Sequence, residues 1–534
     1  SDNVCCLPRT TSLSVENFMR VEIRMWLRFF GRGDAFVGMF AMLLVLSGSL
    51  GFAADDESSF TPIFNGTSLE GWEGKPEFWS VADGAIVGQT TAEKPTQGNT
   101  FLIWKQGKLD DFELRLTYRI TGNNSGVQYR SKDMGDFVVG GYQADIDSGA
   151  TYTGINYEER GRGILATRGE RVTIAPDGKK TPGESIGKTE ELQKLVKAGD
   201  WNEYRIVAQG TKLSHYVNGQ LMSEVDDAET AKRAAEGILA LQLHAGPPMK
   251  VEFKSVRLKR LKLADGRKKL VLVAGKASHG SGQHEFKAGN KLLEKCLKAS
   301  APMLVAQTYE GGWPADPTAF SNADAIFFFM DGGGGHPVVQ SNRLAEVAAL
   351  VKRGVGIACL HYAVEVPKEK GGAEFLDWLG GYFETDWSVN PTWELAATEV
   401  AVGHPITRGV KPFVCNDEWY YHMRFRDSSG KVTPILSAIP PDSTRERPDG
   451  PHSNNPTVRS KKGSREVLAW AYERPEGGRG FGCTGAHFHA NWGNNDFRRM
   501  MLNSLLWTSG LDVPVEGVAS TVTPEELMAN IDVK

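Results

Sequence analysis

Residues 354–364 read GVGIACLHYAV, and this stretch decides the fold of the C-terminal half of the chain. The run from Val355 to Leu360 is apolar without alternation, which is typical of a strand buried on both faces of a parallel sheet. Similar runs stand at 269–275, 303–311 and 324–332, and amphipathic segments predict helices at 284–299 and 341–353. Strands and helices in alternation predict a doubly wound, mostly parallel α/β domain.

The pattern before this half has period two. Between Phe60 and Leu263, short alternating segments such as DFELRLTYRI (111–120) are separated by Gly, Asn and Asp turns. HYVNGQLMSEV (215–225) is a predicted hairpin around Asn218 and Gly219. These features predict an all-β sandwich, and the polar segment ADGRKK (264–269) is the predicted linker.

Composition excludes several classes of partner. A chain of 534 residues is long enough for two or three domains. It is 40% hydrophobic and 24% charged with a net charge of only -4, so we expect no nucleic-acid partner and no polybasic membrane contact.

The N-terminus predicts export. FVGMFAMLLVLSGSLGFA (36–53) follows Arg24, Arg28 and Arg32 and precedes acidic residues, the order found in a secretory signal peptide. We expect cleavage after Ala53 or Ala54, a periplasmic or extracellular mature protein and no membrane association after cleavage; a retained anchor is the alternative. Cys5 and Cys6 precede the cleavage site, and the other four cysteines stand in apolar segments, so we interpret them as buried thiols.

One face of the β half carries polar groups suited to a sugar. GYQADIDSG (141–149) places Gln143, Asp145 and Asp147 on one side of a strand, and NSGVQYRS and ILALQLHAG repeat the spacing. These two strands contribute Gln128, Arg130, Gln242 and His244. For any single strand, an ordinary solvated face is the alternative interpretation.

The β half resembles a known family. FNGTSLEGWEG, FWSVADGAIVGQ, NNSGVQYRS, GYQADIDSG, WNEYRIVAQG and LQLHAGPPMKVEFKSVRLK together are similar to the 3-keto-disaccharide hydrolase domain, a concanavalin-like jelly roll. The resemblance implies cleavage of glycosides oxidised at C3, where the ketone acidifies the C2 hydrogen. A base then forms an enolate, the C1 oxygen leaves, and water adds.

This chemistry assigns provisional roles. We expect Asp145 or His244 as the base and Arg130 or a divalent metal as the group that stabilises the enolate, with a metal on His244 and Asp145 left open. The predicted substrate-binding residues are Gln128, Tyr142, Gln143, Asp147 and Gln242.

The α/β half has a resemblance of its own. KLVLVAGKASHGSGQHEF, GVGIACLHYAV, GHPITRGV, NDEWYYHM and GAHFHANWGNNDFRRMMLNSLLW are similar to the ThuA-like domain, which is associated with trehalose utilisation and has the flavodoxin-like fold of class I glutamine amidotransferases. The nucleophile turn of that fold reads GxCxG, but Ile357 and His361 flank Cys359 here, and His487 lacks a Glu two residues later. We therefore interpret Cys359 as a buried thiol.

Histidines follow several predicted strands of this half. His361 ends one strand, His279 and His284 follow the first, Glu418 begins another, and His487 and His489 follow GFGCTGAHF. Strand ends are where doubly wound sheets bind ligands, so these groups predict a metal or acid-base site. His284, His361 and His487 are the predicted metal ligands, and His361 and Glu418 the predicted catalytic residues; each histidine taken alone could be structural.

The chain as a whole predicts an exported enzyme that cleaves 3-keto-glycosides, with the ThuA-like half acting on a related keto-sugar. The alternative is a carbohydrate-binding β-sandwich attached to a catalytic ThuA-like half. GxGxxG is missing after the first α/β strand, so we expect no nucleotide cofactor and a separate sugar 3-dehydrogenase that supplies the substrate. The predicted divisions are an N-terminal extension with signal peptide (1–54), the β-sandwich (58–263), the linker (264–269), the ThuA-like domain (268–513) and a C-terminal tail with a short helix (514–534).

Overall fold

A computed structural model describes residues 57–396, 399–426 and 431–534. The predicted extension and signal peptide, residues 1–54, lie outside the described residues. Among the described residues, no helix combines the length and the apolar character needed to cross a membrane.

The N-terminal half is built from short and medium strands with one short helix. In chain order these elements are β1 (Thr61–Pro62), β2 (Trp72–Glu73), β3 (Trp79–Ala82), β4 (Ala85–Thr90), β5 (Thr100–Leu109), β6 (Phe112–Thr121), β7 (Asn124–Asp133), β8 (Val139–Asp147), β9 (Asn156–Glu159), β10 (Gly163–Ala166), β11 (Arg171–Ile174), β12 (Lys180–Pro182), α1 (Thr189–Gln193), β13 (Asn202–Gln209), β14 (Lys212–Val217), β15 (Gln220–Asp227), β16 (Gly237–Leu243) and β17 (Met249–Arg260).

These strands form two sheets. The first has the order β12-β11-β15-β14-β13-β6-β17-β4-β3, with β1 paired to β17, and the second has the order β10-β9-β8-β7-β16-β5-β2. One core contains residues from both sheets, including Leu114 and Tyr204 of the first and Tyr142 and Leu241 of the second. The N-terminal half is therefore an all-β sandwich.

The C-terminal half alternates strands and helices in its first part. Its elements are β18 (Lys268–Ala274), α2 (Phe286–Ser300), β19 (Leu304–Tyr309), β20 (Ala325–Phe329), α3 (Arg343–Lys352), β21 (Gly356–Leu360), α4 (Ala373–Leu379), β22 (Gly381–Tyr382), β23 (Trp393–Leu395), β24 (Glu399–Val400), β25 (Cys415–Asp417), β26 (Arg424–Phe425), β27 (Lys431–Ala438), α5 (Pro456–Arg459), β28 (Glu466–Glu473), β29 (Arg479–Cys483), α6 (Asn495–Thr508) and α7 (Pro524–Leu527).

The central sheet of this half is mixed. Its order is β19-β18-β20-β21-β29-β28-β27-β24, in which the pairs from β19 to β29 are parallel and the remaining pairs are antiparallel. The parallel part is the doubly wound sheet that the apolar runs predict, and the antiparallel strands extend one edge. The strand of the opening stretch, β21, lies between β20 and β29, which buries all five of its residues.

Two other segments matter for the site. The connection between β27 and β28, residues 439–465, is long and contains only the 3-10 turn Asp442–Arg445 and α5. The short helix predicted in the C-terminal tail is α7, which begins with a capping box between Thr523 and Glu526.

The two halves are joined by buried charges. Lys269 of β18 donates to Asp110 at 2.5 Å, and Arg260 of β17 donates to Asp316 at 2.6 Å. Both cationic side chains are fully buried. Residues 57–534 accordingly form one unit. Residues 264–266 of the predicted linker are exposed, whereas Lys269 at its end is buried.

Candidate functional site

A cleft of about 660 Å³ opens on the second sheet of the sandwich. Its wall includes five of the residues predicted from the sequence, namely Gln143, Asp145, Asp147, Gln242 and His244. Strands β8 and β16 present these residues because alternate side chains face away from the core, where Tyr142, Ala144 and Leu241 pack. Asn124, Tyr157 and Glu159 also line the cleft. The sequence analysis missed these three, although Tyr157 and Glu159 show the same spacing of two.

Asp145 lies at the floor of the cleft with only 5% of its surface exposed. Its Oδ1 accepts hydrogen bonds from Gln143 Nε2 at 3.0 Å and Asn124 Nδ2 at 3.3 Å. Burial raises the pKa of Asp145 to about 7; the two amides oppose this rise and the carboxylates of Glu159 and Asp147 add to it. A carboxyl group with such a pKa can accept or donate a proton near neutral pH.

The neighbours of Asp145 leave one hydrogen-bond donor unused. Gly126 stands opposite Asp145 in the sheet, and a Cβ there would come within 2.6 Å of the Gln143 side chain. The glycine therefore lets Gln143 lie flat beside the carboxylate. The Gln143 amide also approaches Gln242 Oε1 at 3.4 Å, while the buried Gln242 Nε2 has no hydrogen-bond partner. An unpaired buried N–H at the wall of a cleft is available to a ligand oxygen.

His244 also lines the cleft, at its rim. It directly follows β16, and its Nδ1 lies 2.6 Å from the carbonyl oxygen of Ala245. Among the described residues, the groups of three or more possible ligands within 4.8 Å of one another include neither His244 nor Asp145.

The prediction for Arg130 is wrong. The pairing of β7 with β8 shifts register between Tyr129 and Lys132, and Arg130 takes a positive φ of 46°, so the alternation that the prediction assumed is broken at a bulge. Its guanidinium is buried against the carbonyls of Asp110 and Gly210 and the carboxylate of Asp111. Arg130 therefore holds the end of the sandwich near the linker and does not line the cleft.

Two predicted substrate contacts also need correction. Tyr142 faces the core, as the alternation of β8 requires, and its hydroxyl donates to Asp227 at 2.5 Å. Gln128 lies on the cleft side but is fully buried, and its amide is hydrogen-bonded to that of Gln143, with 2.6 Å between the polar atoms. Tyr142 is a core residue, and Gln128 positions Gln143.

The α/β half brings together the histidine cluster, defined as His284, His361, Glu418 and His487. His284 Nε2 lies 3.1 Å from His361 Nε2 and 3.0 Å from His487 Nδ1. Glu418 Oε2 lies 3.2 Å from His487 Nδ1 and 3.6 Å from His361 Nε2. The four side chains that were predicted from the sequence to form one site therefore do meet, at the carboxyl end of the parallel strands.

The outer hydrogen bonds of the cluster determine where its lone pairs point. His361 Nδ1 lies 2.8 Å from the carbonyl oxygen of Thr484, and His284 Nδ1 lies 2.9 Å from a carboxylate oxygen of Asp331. Carbonyls and carboxylates only accept, so both Nδ1 atoms carry the hydrogen and both Nε2 lone pairs face each other. Burial lowers the pKa of His361 well below its usual range, which keeps the ring neutral. Converging lone pairs with a carboxylate are the donor set of a divalent transition metal.

Backbone geometry positions these ligands. His284 and His361 both have positive φ, 48° and 55°, and His361 does so directly after β21. The sharp turn of the fold thus lies at His361 and not at Cys359, whose side chain is fully buried and whose pKa is raised by burial. Non-glycine residues in this region cost about 1–3 kcal/mol each and concentrate at functional sites.

Asp417 positions two of the four side chains of the histidine cluster. Its carboxylate accepts from the backbone N–H groups of Glu418 and His487 at 2.8 and 2.9 Å, and from Ala486, which itself has a φ of 86°. Asp417 was not predicted from the sequence, and neither was Tyr420, whose hydroxyl lies 3.1 Å from His361 Nε2. The sequence signal for Asp417 is its position directly before Glu418.

The remaining histidines of this half lie outside the cluster. His279 stacks on His284 with 3.6 Å between ring centroids, His489 lies 2.7 Å from the carbonyl oxygen of Leu527, and His404 caps a 3-10 turn by accepting from Ile406 N–H. All four described cysteines are buried and free, as predicted.

Two protein-family models match the chain, one in each half. Residues 59–259 match the model of the family described as the 3-keto-alpha-glucoside-1,2-lyase-like domain. Residues 270–508 match the model of the family described as trehalose utilisation, ThuA. No curated protein matches the sequence.

Several solved structures are similar to parts of the chain. A candidate glycosyl hydrolase from Parabacteroides distasonis is 18% identical, with 38% of this chain and 99% of that chain covered and a TM-score of 0.25. The carbohydrate-binding module CBM66 from Bacillus subtilis is 14% identical, with coverage of 35% and 95% and a TM-score of 0.24. A ThuA-like protein from Bacteroides uniformis is 15% identical, with coverage of 46% and 93% and a TM-score of 0.35.

The chain thus contains a 3-keto-disaccharide hydrolase-like domain followed by a ThuA domain.

Proposed function

We propose that the protein is a carbohydrate-active enzyme whose β-sandwich cleft cleaves the glycosidic bond of 3-keto-glycosides. The observation that carries the proposal is Asp145, a buried carboxylate at the cleft floor whose pKa is raised to about 7. A carboxyl group that is surrounded by amides and has a pKa near neutral pH is suited to proton abstraction, whereas simple sugar binding does not require such a pKa.

Cleavage proceeds by elimination and hydration. Asp145 accepts the proton from C2 of the sugar, and the electron pair of the broken C–H bond forms the enolate of the C3 ketone. The enolate then expels the C1 oxygen, which takes up a proton and leaves as the aglycone alcohol. Water adds to the resulting double bond, with OH at C1 and H at C2, and yields the free 3-keto-sugar.

Other residues of the cleft have proposed roles in stabilising the enolate and in protonating the leaving oxygen. Gln242 Nε2 replaces Arg130 as the proposed donor to the enolate oxygen, because it is buried at the cleft wall without a partner. His244, at the rim, is the proposed proton donor to the leaving oxygen. Gln143 and Asn124 stay bonded to Asp145 and fix the direction of its carboxylate.

The histidine cluster supports a second, metal-dependent site in the ThuA domain. His284, His361, His487 and Glu418 would hold a divalent transition metal, which supplies Lewis-acid polarisation of a bound oxygen. The Thr484 carbonyl and Asp331 would keep His361 and His284 oriented through the contacts described above. We propose that this site acts on a keto-sugar related to the product of the cleft.

The surroundings of the reaction follow from the proposal. The substrate needs a ketone at C3, so a separate sugar 3-dehydrogenase supplies it. A signal peptide at residues 36–53 would place the enzyme in the periplasm or outside the cell.

The proposal is tested by incubating the protein with 3-keto-trehalose and 3-keto-glucosides, with and without a chelator, and following 3-keto-glucose. Release that resists the chelator assigns the reaction to the cleft, and release abolished by the chelator assigns it to the ThuA domain. Binding without release would favour the alternative of a carbohydrate-binding β-sandwich.

A further inference from the structure

A second group of polar side chains lies next to the histidine cluster. Tyr362 directly follows His361, and its ring lies 6.0 Å from that of His284. A Cβ on Gly333 would stand 3.4 Å from both the Tyr362 hydroxyl and Glu365 Oε1. The two oxygens therefore border one small space, which the glycine leaves open.

His452 completes this group from another part of the chain. It belongs to the 439–465 connection, and its Nε2 lies 2.8 Å from Glu365 Oε1. The side chain of Glu365 is 4% exposed and that of His452 is 38% exposed, so the pair has a buried end and an open end. The connection is anchored there by Asn390 N–H, which donates to the His452 carbonyl at 3.0 Å.

Packed rings connect His452 to the cluster. His452 stacks on Phe383 with 5.4 Å between centroids, Phe383 contacts Tyr420 at 5.2 Å, and Tyr420 contacts His361 at 4.6 Å. The Tyr362 hydroxyl has no hydrogen-bond partner among the described residues, so it is a free donor at the edge of the space beside Gly333. The Tyr362 hydroxyl lies between the Glu365–His452 pair and the histidine cluster. A hydroxyl without a partner at this position indicates that the site binds a polar molecule.

The local charge restricts the class of that molecule. The charged groups that act on His452 are Glu365, Asp386 and Glu418, and those that act on Tyr362 are Glu365, Asp331 and Glu418. All of them are acidic, so an anionic group placed against these side chains would be repelled. Donors and acceptors beside aromatic rings suit a neutral polyol.

We propose that Tyr362, Glu365 and His452 form a sugar-binding wall, which binds the hydroxyl groups of an uncharged monosaccharide or its keto derivative at the histidine cluster. This inference rests on the second site of the proposed function. The 439–465 connection thereby contributes a ligand contact to the ThuA domain.

The test is hydrogen–deuterium exchange of the metal-loaded full chain titrated with 3-keto-glucose, with glucose 6-phosphate as the anionic comparison. We expect 3-keto-glucose to protect the peptides that span 361–366 and 447–455. Tyr362→Phe and His452→Gln should each raise the 3-keto-glucose concentration at the midpoint of protection by about tenfold or more, since each removes a hydrogen bond to the ligand. His404→Gln, which changes a capping histidine away from the wall, should leave the midpoint unchanged.

The outcomes separate this inference from the proposed function. A protein that holds one equivalent of metal but shows no protection of these peptides by 3-keto-glucose overturns the wall. The wall is also overturned if the wild type and both wall variants reach half-maximal protection at the same 3-keto-glucose concentration and keep the same melting temperature. Stronger protection by glucose 6-phosphate also overturns it. Protection that depends on Tyr362 and His452 in a protein that takes up no added metal supports the wall and contradicts the metal site.

Discussion

Asp145 shows how one residue acquires its chemistry from its neighbours. The side chain is almost fully buried, yet amides and not cations surround it, so nothing compensates its charge strongly enough to keep the pKa low. Asp227 in the same domain is the contrast, since Arg162 bonds to it and its pKa is lowered despite burial. The two environments distinguish the proposed base, Asp145, from a structural acid, Asp227.

Replacement of the proposed base should greatly reduce turnover. Asp145→Asn keeps the shape and the hydrogen bonds of the side chain but cannot accept the C2 proton. We expect kcat on a 3-keto-glucoside to fall by about 100-fold or more, the usual contribution of a general base. In the wild type, kcat/KM should rise with pH through about 7, as the carboxyl loses its proton. Asp83→Asn, in the exposed turn between β3 and β4, is the control; comparable loss in both variants would argue against a role for Asp145.

The Asp145→Asn replacement, which should lower activity, should raise the free energy of unfolding at high pH. Its folded pKa is about 7 against an ordinary value of 3.8, so the folded state keeps a proton that the unfolded chain loses. Its stabilising contribution is full below pH 4 and is lost as pH rises towards about 7. At about 1.4 kcal/mol per pKa unit, Asp145→Asn should be more stable than the wild type by a few kcal/mol at pH 8 but not at pH 4. Urea unfolding at the two pH values measures this, and a pH-independent difference would be the contrary result.

The residue scale also shows what a sequence can predict. Alternation placed Gln143, Asp145 and Gln242 on the cleft face, because a regular strand leaves no other choice. It failed for Arg130, since the bulge in β7 depends on pairing with β8, which a single sequence does not reveal. His361 was selected for its place at a strand end, but its strained backbone could be found only in the structure.

At the scale of elements, turns after strands assemble the histidine cluster. Glu418 follows β25 and His487 follows β29, and Asp417 ties the two turns together through backbone N–H groups. The sheet was predicted only in part: apolar runs indicated the parallel strands, while the antiparallel extension through β28, β27 and β24 depends on tertiary pairing.

Loss of this tie should weaken the metal site. Asp417→Leu removes the acceptor for the backbone N–H groups of Glu418 and His487 without changing a ligand. We expect metal affinity to fall by about 10- to 100-fold, as is usual for groups that orient ligands. Competition with a chromophoric chelator measures the affinity, and Asp512→Asn at the surface is the control. Unchanged affinity in a folded Asp417→Leu protein would mean that the turns hold their positions without it.

At the scale of the whole molecule, buried ion pairs join the two domains. Asp110 and Arg260 come from the sandwich, Lys269 and Asp316 from the α/β domain, and all four side chains are almost fully buried. Tyr309 adds a hydrogen bond to Asp316 at 2.9 Å. Because each charge depends on a partner in the other domain, the two domains should unfold together.

Breaking one pair should reveal this dependence. Arg260→Met leaves Asp316 buried without its cation, which costs about 3–5 kcal/mol. Arg257→Met, in the same strand, breaks only a surface pair with Glu57 and should cost about 1 kcal/mol or less. Differential scanning calorimetry should show one transition in the wild type and a lower or split transition in Arg260→Met; equal effects of the two variants would contradict a joint unit.

The central claim is that Asp145 removes the C2 proton in the cleft, and turnover in deuterium oxide tests it most directly. The wild type incubated with a 3-keto-glucoside should release 3-keto-glucose that carries solvent deuterium at C2 beyond the enzyme-free exchange, and Asp145→Asn should release it at least about 100-fold more slowly. Product that retains its original C2 hydrogen, or equal release by the variant, would contradict the account.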